Sequence, residues 1–173
     1  MRIVIEPMGG ADSGVMEAVS KAVEAVYKVK APVGNGLPEP RHAYDSARRQ
    51  YQASAFLREL RASRKEDGDI RLGVADADLY APGLNFIFGE ADIFGRAAVI
   101  ALARLRQEFY GYAAEPGILA ERAVKEALHE LGHVWGLDHC PDPNCVMFFS
   151  NSILDTDRKR SAYCDKCSET LGL

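Results

Sequence analysis

The chain has 173 residues, 47% of them hydrophobic and 27% charged, a composition typical of one globular domain with an ordinary core. A formal net charge of −4 and a pI near 5.6 argue against recognition of nucleic acid or an anionic membrane by bulk electrostatics. The longest apolar run, Ala97 to Ala103, is too short to span a bilayer, and "MRIVIEPMGG" leaves no room for a signal peptide's apolar region. We therefore expect a cytoplasmic protein without nucleic-acid or membrane partners.

The N-terminal part of the chain predicts a strand followed by a helix. The segment "RIVIE" (2 to 6) predicts a buried first strand, and "PMGGADSG" then turns the chain into a helix with Val15, Val19 and Val23 on its apolar face. Three prolines and two glycines in "APVGNGLPEP" (31 to 40) predict a loop.

A longer helix is predicted over roughly Tyr44 to Glu66, with Phe56, Leu57 and Leu60 on its inner face. The charged stretch "RKEDGD" at its end predicts a solvated helix terminus, stopped by Gly68.

The second half of the chain predicts strands followed by one long helix. Three short apolar runs predict strands of a mixed sheet: "IRLGV" (70 to 74), "LNFIFGEA" (84 to 91) and "RAAVIALA" (96 to 103). Helical periodicity returns from Ile118 to about Trp135, with the predicted core face made by Val124, Ala127, Leu128, Leu131, Val134 and Trp135.

The motif "HELGHVWGLDHC" (129 to 140) contains three of the four histidines of the chain. His129 and His133, at i and i+4, project from one helix face, so both imidazoles can reach a single tetrahedral zinc. Glu130 can reach a water molecule bound to that metal rather than the metal itself, which is the position of a general base in zinc hydrolases.

The third ligand of this zinc is predicted to be His139. Gly136 can adopt a positive φ, end the helix and let the chain return His139 to the metal. Three histidines leave a fourth position open, as in catalytic rather than structural zinc sites. The alternative is an accidental match of ordinary histidines, and the pattern HExxHxxGxxH, with five fixed positions in eleven, argues against it. His42 has no such partners and is predicted to be a surface residue.

All four cysteines lie in a second cluster near the C-terminus, in the pattern Cys140-x4-Cys145 and Cys164-x2-Cys167. Two such pairs suit a closed, structural zinc with four thiolate ligands, which we expect to stabilise the C-terminal part of the chain. Two disulfides or four free thiols are the alternatives, and a cytosolic chain favours metal.

These motifs resemble those of the archaemetzincins, a branch of the metzincin zinc peptidases. The resemblance depends on the HExxHxxGxxH residues, on Cys140 directly after them, on "CVM" (145 to 147) and on the Cys164/Cys167 pair. Weaker similarity extends upstream through "RQYQA" (49 to 53), "DLYAPGLNFIFGEA" (78 to 91) and "RAAVIALARL" (96 to 105).

The resemblance implies an α+β fold with an α/β-type N-terminal part. We expect a metzincin-like twisted mixed sheet with backing helices and an active-site helix (1–136), and a small zinc-bound C-terminal subdomain (137–173), together forming one catalytic domain. Met147 would be the Met-turn residue, an apolar floor beneath the metal, whereas by composition alone it would be only a core methionine. Because Met147 is followed by "FFSNS", the tyrosine ligand that some metzincins carry after the Met-turn has no counterpart.

The resemblance also implies how a peptide would lie. The run 84 to 91 would be the edge strand above the active-site helix, to which an extended substrate could add main chain to main chain. The alternative is an interior strand paired on both sides, with Phe86, Ile87 and Phe88 in the core.

Taken together, the sequence predicts a zinc-dependent metallopeptidase with two zinc ions per chain, one catalytic and one structural. The metal would activate a water molecule and Glu130 would take its proton, with a peptide or protein as substrate. Two alternatives stay open: a catalytically weak, zinc-stabilised binding or regulatory protein with the same fold, and a zinc hydrolase of a non-peptide amide.

Overall fold

The structure is a computed structural model that describes residues 2–66 and 68–173. Its elements in chain order are β1 (Ile3–Met8), α1 (Ser13–Tyr27), β2 (Tyr44–Asp45), β3 (Gln50–Gln52), α2 (Ala53–Ala62), β4 (Ile70–Ala75), β5 (Leu79–Tyr80), β6 (Gly89–Asp92), β7 (Ala97–Ala101), α3 (Pro116–Val134), α4 (Ile153–Arg158) and α5 (Asp165–Leu171). Short 3₁₀ turns occupy Arg41–Ala43, Ala103–Leu105 and Gln107–Tyr110.

The main sheet has four strands in the order β1-β4-β7-β6. β1, β4 and β7 run parallel, and β6 pairs antiparallel with β7 at one edge of the sheet. A small second sheet has the order β2-β3-β5. The predicted α+β architecture with a mixed sheet is therefore confirmed.

Helices cover both faces of the main sheet. One apolar cluster joins the sheet to α1 and α3, and another joins it to α2. Every residue of β4 and β7 is buried, as expected for central strands covered on both faces. In the described ranges, none of the helices combines the length and the apolar character that a membrane span requires.

The helix predicted over 44 to 66 is wrong at both ends. Residues 44–52 form the hairpin of β2 and β3, and the helix begins only at Ala53. The Asp45 side chain accepts hydrogen bonds from the backbone N–H groups of Ala47 and Arg48, at 2.9 and 3.1 Å, which closes a turn instead of a helix.

The far end of that helix also differs. α2 ends at Ala62, where the Ser63 hydroxyl donates to the Leu60 carbonyl at 2.8 Å, so the following charged stretch is not a helix terminus. Asp67 of that stretch lies outside the described residues.

Three other predicted boundaries need correction. Residues 84–88 are not a regular strand: Ile87 makes an isolated bridge to Leu79, and only Gly89–Asp92 forms β6. The strand predicted over 96 to 103 ends at Ala101, and the strand predicted over 2 to 6 extends to Met8.

The last predicted helix is confirmed, beginning two residues earlier than expected, at Pro116. Trp135 was expected in its core face, but it follows the helix and is 37% exposed, with its ring stacked on Tyr27 at 6.1 Å between centroids.

A buried ion pair joins the first two parallel strands. Arg71 on β4 contacts the carboxylate of Glu6 on β1, and both residues are buried. Arg71 also donates to the Ser63 carbonyl at 3.1 Å, which ties the end of α2 to the sheet.

We expect Arg71→Met to lower the free energy of unfolding by about 3–5 kcal/mol, because Glu6 would remain buried without its partner. Replacing both residues, as Arg71→Met with Glu6→Gln, should recover most of that loss because no buried charge is left unpaired. Chemical denaturation measures both values. A loss below about 1 kcal/mol in the single variant, the value of an exposed pair, would contradict the buried-pair assignment.

Candidate active site

Helix α3 presents two of the three clustered histidines. His129 and His133 lie one turn apart near its C-terminal end. After the helix, Gly136 adopts φ +89° and its N–H donates to the His133 carbonyl at 2.9 Å. This turn brings His139 back to the other two imidazoles, as the motif predicts.

The Nε2 atoms of the three imidazoles converge. The Nε2 atom of His133 lies 3.1 Å from that of His129 and 3.2 Å from that of His139. Single ligand atoms of all three residues lie within 4.8 Å of one another.

The tautomers of two of these histidines follow from their backbone partners. The Nδ1 atom of His129 lies 2.8 Å from the Val146 carbonyl oxygen, and that of His133 lies 2.7 Å from the Leu137 carbonyl oxygen. Because a carbonyl only accepts, each Nδ1 carries the hydrogen and each Nε2 presents a lone pair. Two lone pairs facing each other at 3.1 Å cannot form a hydrogen bond, and a shared cation resolves this contact.

This donor set fits zinc. Zn–N bonds of about 2.0–2.1 Å in tetrahedral geometry place the nitrogens about 3.3 Å apart, close to the observed separations. Burial lowers the pKa of His129 to about 2, and the nearby Lys159 ammonium adds to the effect. The His129 imidazole is therefore neutral over the physiological range, the form that binds metal.

Glu130 lies beside these histidines on α3 and is 5% exposed. Burial raises the pKa of its carboxyl group well above the ordinary value, and the carboxylate of Glu126 adds to the rise. A divalent cation at the histidines acts in the opposite direction because it stabilises the ionised carboxylate.

A cavity of about 270 Å³ opens next to this group. Its walls are residues 84–89, which lead into β6, and residues 149–151, which follow Met147. Helix α3 contributes Glu126, His129 and Glu130, so the candidate base and a candidate metal ligand face the same space.

Met147 is fully buried and lies against α3 at Gly132. A Cβ atom at Gly132 would come within 2.4 Å of the Met147 sulfur, so this close approach requires glycine. Sequence reasoning identified Met147 only through the family resemblance and did not identify Gly132 at all.

The four cysteines also converge. One Sγ atom from each residue falls within 4.8 Å of the others, and Cys140 Sγ lies 3.8 Å from Cys164 Sγ. Zn–S bonds of about 2.3 Å at tetrahedral angles give about 3.8 Å between sulfurs, so the set fits zinc. No disulfide joins the four cysteines, which leaves all four thiols available to bind a metal.

His42 is exposed in the 3₁₀ turn Arg41–Ala43, as predicted for a surface residue. Besides Gly132, sequence reasoning missed three residues near the site that became visible only in three dimensions: Gly89, Glu126 and Lys159. Glu126 had one available signal, because it lies one helical turn before Glu130 and therefore on the same face of α3.

Comparison with known proteins identifies the family. The model of peptidase family M54 matches residues 13–172. An archaemetzincin from Pyrococcus abyssi is 46% identical, covering 98% of this chain and 93% of that protein. The crystal structure of an archaemetzincin from Archaeoglobus fulgidus, complexed with malonate, has a TM-score of 0.84 at 36% identity, with coverage of 98% and 99%. A zinc-dependent peptidase from Methanocorpusculum labreanum has a TM-score of 0.89 at 29% identity, with the same coverage.

The chain belongs to peptidase family M54, the family of these archaemetzincins. It is a zinc metallopeptidase, as its histidine motif predicts. The alternative of a catalytically weak binding protein is not favoured by these relatives.

Gly89 on β6 leaves room for the Glu130 side chain because it has no side chain of its own. A Cβ atom at Gly89 would lie 2.6 Å from both Cγ and Oε1 of Glu130. We expect Gly89→Ala to displace the carboxylate and to lower kcat for peptide cleavage about 10²-fold, the cost of a misplacement near 1 Å. Zinc content and folding should be retained.

Introducing Gly89→Ala into a Glu130 variant as well as into wild type shows whether the loss of kcat comes from the contact between these two residues. Glu130→Ala lacks both atoms that the added methyl group would meet, so in that background Gly89→Ala should lower the residual kcat much less. Gly117→Ala on α3 is the matched control, because a Cβ at Gly117 meets nothing within 4 Å. Equal losses of kcat in both backgrounds would contradict a direct contact between Gly89 and Glu130.

Proposed function

We propose that His129, His133 and His139 hold the catalytic zinc and that Glu130 is the general base in peptide-bond hydrolysis. The observation that supports this proposal most directly is the convergence of the three Nε2 atoms, at 3.1 and 3.2 Å from that of His133, with Glu130 in the adjoining cavity. The substrate class is a peptide or protein, in agreement with the family.

Zinc, when bound, supplies Lewis acidity towards water and the scissile carbonyl. Glu130 takes a proton from the attacking water and gives it to the leaving amine as the C–N bond breaks. The environment that raises the pKa of Glu130 also makes its carboxylate a stronger base than an exposed one. Val146 and Leu137 hold the two helical imidazoles in the tautomer that leaves Nε2 free for metal.

Met147 provides the apolar floor of this site in our proposal, held against α3 by the absence of a side chain at Gly132. The neighbouring backbone is held as well, because the Cys140 N–H donates to the Met147 carbonyl at 2.9 Å.

We further propose that Cys140, Cys145, Cys164 and Cys167 hold a second, structural zinc. Because four thiolates complete a tetrahedron, this site leaves no position for substrate. It would organise residues 137–173 as a subdomain attached to the sheet and helices of 1–136, within a single catalytic domain. Cysteines that bind metal instead of forming disulfides also support a cytoplasmic location, where thiols are kept reduced.

An extended peptide would bind along β6. The Ala101 N–H donates to the Phe88 carbonyl at 2.8 Å, and the paired residues that follow are Gly89 with Ile100 and Glu90 with Val99. Phe88 and Ala101 are thus a hydrogen-bonded pair, and hydrogen-bonded and non-hydrogen-bonded pairs alternate along an antiparallel ladder. The Glu90 N–H therefore bonds to β7, whereas the N–H groups of Gly89 and Ala91 point away from β7. These outward groups are the ones a substrate strand would use.

The proposed base is tested by Glu130→Ala against an unbiased peptide library. We expect cleavage to fall by about 10²–10⁴-fold, the usual contribution of a general base, with folding and zinc content unchanged. Glu169→Ala, an exposed carboxylate on α5, is the control and should cleave like wild type. Undiminished cleavage by the zinc-loaded Glu130→Ala variant would exclude this residue as the base.

The two metal sites should differ in exchange rate. Zinc-saturated protein should contain two zinc ions per chain, and mild chelation should remove the histidine-bound zinc first because that site has an open position. Elemental analysis during chelation measures both quantities, with peptide cleavage lost in step with the first ion. At most one zinc per chain after saturated refolding would rule out the two-site proposal.

The binding edge is tested by a pair of proline variants. Ala91→Pro removes an outward N–H and should weaken peptide cleavage severalfold while stability stays near that of wild type. Glu90→Pro, one residue away, removes an N–H that bonds to β7 and should destabilise the fold. Comparable destabilisation by both variants would contradict substrate binding along this edge.

A further inference from the structure

The cavity beside the candidate active site has apolar walls. Its lining includes the side chains of Leu84, Phe86, Ile87 and Phe88 from the segment before β6, and Phe149 from the opposite wall. Such walls suit the aliphatic part of a side chain, and they lie next to the group proposed to cleave the peptide bond.

The lining also contains polar residues, namely Asn85, Glu126, His129, Glu130, Ser150 and Asn151. Two of them, Glu126 and Ser150, are not part of the proposed catalytic group and have hydrogen-bonding capacity left, and the first is Glu126. This residue is 2% exposed and lines the cavity one helical turn before Glu130. Its Oε1 atom accepts a hydrogen bond from the Thr156 hydroxyl at 3.0 Å and lies 3.0 Å from the Lys159 ammonium nitrogen. Within residues 2–66 and 68–173, no group donates to its other oxygen, Oε2.

The second polar group is Ser150, on the opposite wall. Its Oγ atom is buried and has no hydrogen-bond partner among the described residues. Buried polar atoms in folded proteins are nearly always paired, so the unpaired Ser150 Oγ indicates that a ligand completes it, with Glu126 as a second acceptor lining the same cavity.

The Lys159 ammonium forms an ion pair with Glu126. Lys159 is buried, and its charge offsets that of the carboxylate through the contact with Oε1. Both described partners contact Oε1, so Oε2 remains available as an acceptor. A charged acceptor binds a charged donor more strongly than a neutral one.

Building on the proposed function, we propose that this cavity receives a substrate side chain adjacent to the scissile bond, and that Glu126 and Ser150 select lysine or arginine there. The aliphatic stem of either residue would contact the phenylalanine-rich walls. Its terminal N–H groups would donate to Glu126 Oε2 and Ser150 Oγ. An acidic side chain is disfavoured because Glu126 and Glu130 both face the cavity.

The test compares peptides that differ only at the two positions flanking the scissile bond and carry lysine, arginine, norleucine or glutamate there. For zinc-loaded wild type, we expect kcat/KM for lysine or arginine to exceed that for norleucine by about tenfold or more, since polar recognition discriminates more strongly than an apolar contact. Glutamate should be the poorest of the four.

The double variant Glu126→Gln with Lys159→Met removes both charges of the pair, so no buried charge is stranded. In this variant the lysine-to-norleucine ratio of kcat/KM should fall towards one. The matched control is Glu17→Gln with Lys21→Met, which removes an exposed ion pair on α1 and should leave the ratio unchanged. Ser150→Ala is a second variant that keeps the Glu126–Lys159 ion pair. It should also lower the lysine-to-norleucine ratio of kcat/KM.

Wild type that cleaves norleucine peptides as fast as lysine peptides would overturn the proposal, as would an unchanged preference in the double variant. Were the double variant unfolded, an unchanged preference in Ser150→Ala would overturn it in the same way. The proposed function fails separately: cleavage undiminished by Glu130→Gln would refute the assigned base, whatever the side-chain preference.

Discussion

The arrangement of the site depends on three converging imidazole nitrogens, two of which cannot share a proton. Carbonyl groups fix the Nδ1 hydrogens of His129 and His133, so their Nε2 lone pairs face each other at 3.1 Å. In the absence of a cation this contact is repulsive, and with one it becomes a coordination site. The surrounding structure holds these nitrogens together through contacts that are independent of the metal.

Those contacts come mainly from the segment that follows the helix. The Val146 carbonyl orients His129, and the Val146 N–H donates to the Ala162 carbonyl at 2.9 Å, beside the second cysteine pair. The Tyr163 hydroxyl donates to the Leu128 carbonyl at 2.6 Å, which joins the cysteine-rich region directly to α3. Since Cys140 directly follows His139, order in the cysteine cluster also fixes the third histidine.

The sequence predicts the histidine group well because its geometry is local. A four-residue spacing on a helix places His129 and His133 together, and Gly136 permits the turn that returns His139. The hairpin at 44–52 was missed because the helical pattern of α2 extends backwards into it, and only the side-chain bonds of Asp45 and the pairing with β5 distinguish it. The roles of Gly89 and Glu126 depend on neighbours distant in sequence, which a periodic pattern does not contain.

The central claim is that nitrogen and sulfur ligands hold two separate zinc ions. Zinc K-edge X-ray absorption of the fully loaded protein tests it directly, with His133→Ala as the comparison. We expect wild type to show nitrogen or oxygen neighbours at about 2.0–2.1 Å together with sulfur at about 2.3 Å, and His133→Ala to retain mainly the sulfur neighbours. A wild-type spectrum with sulfur alone at full loading, or nitrogen neighbours unchanged in His133→Ala, would contradict the claim.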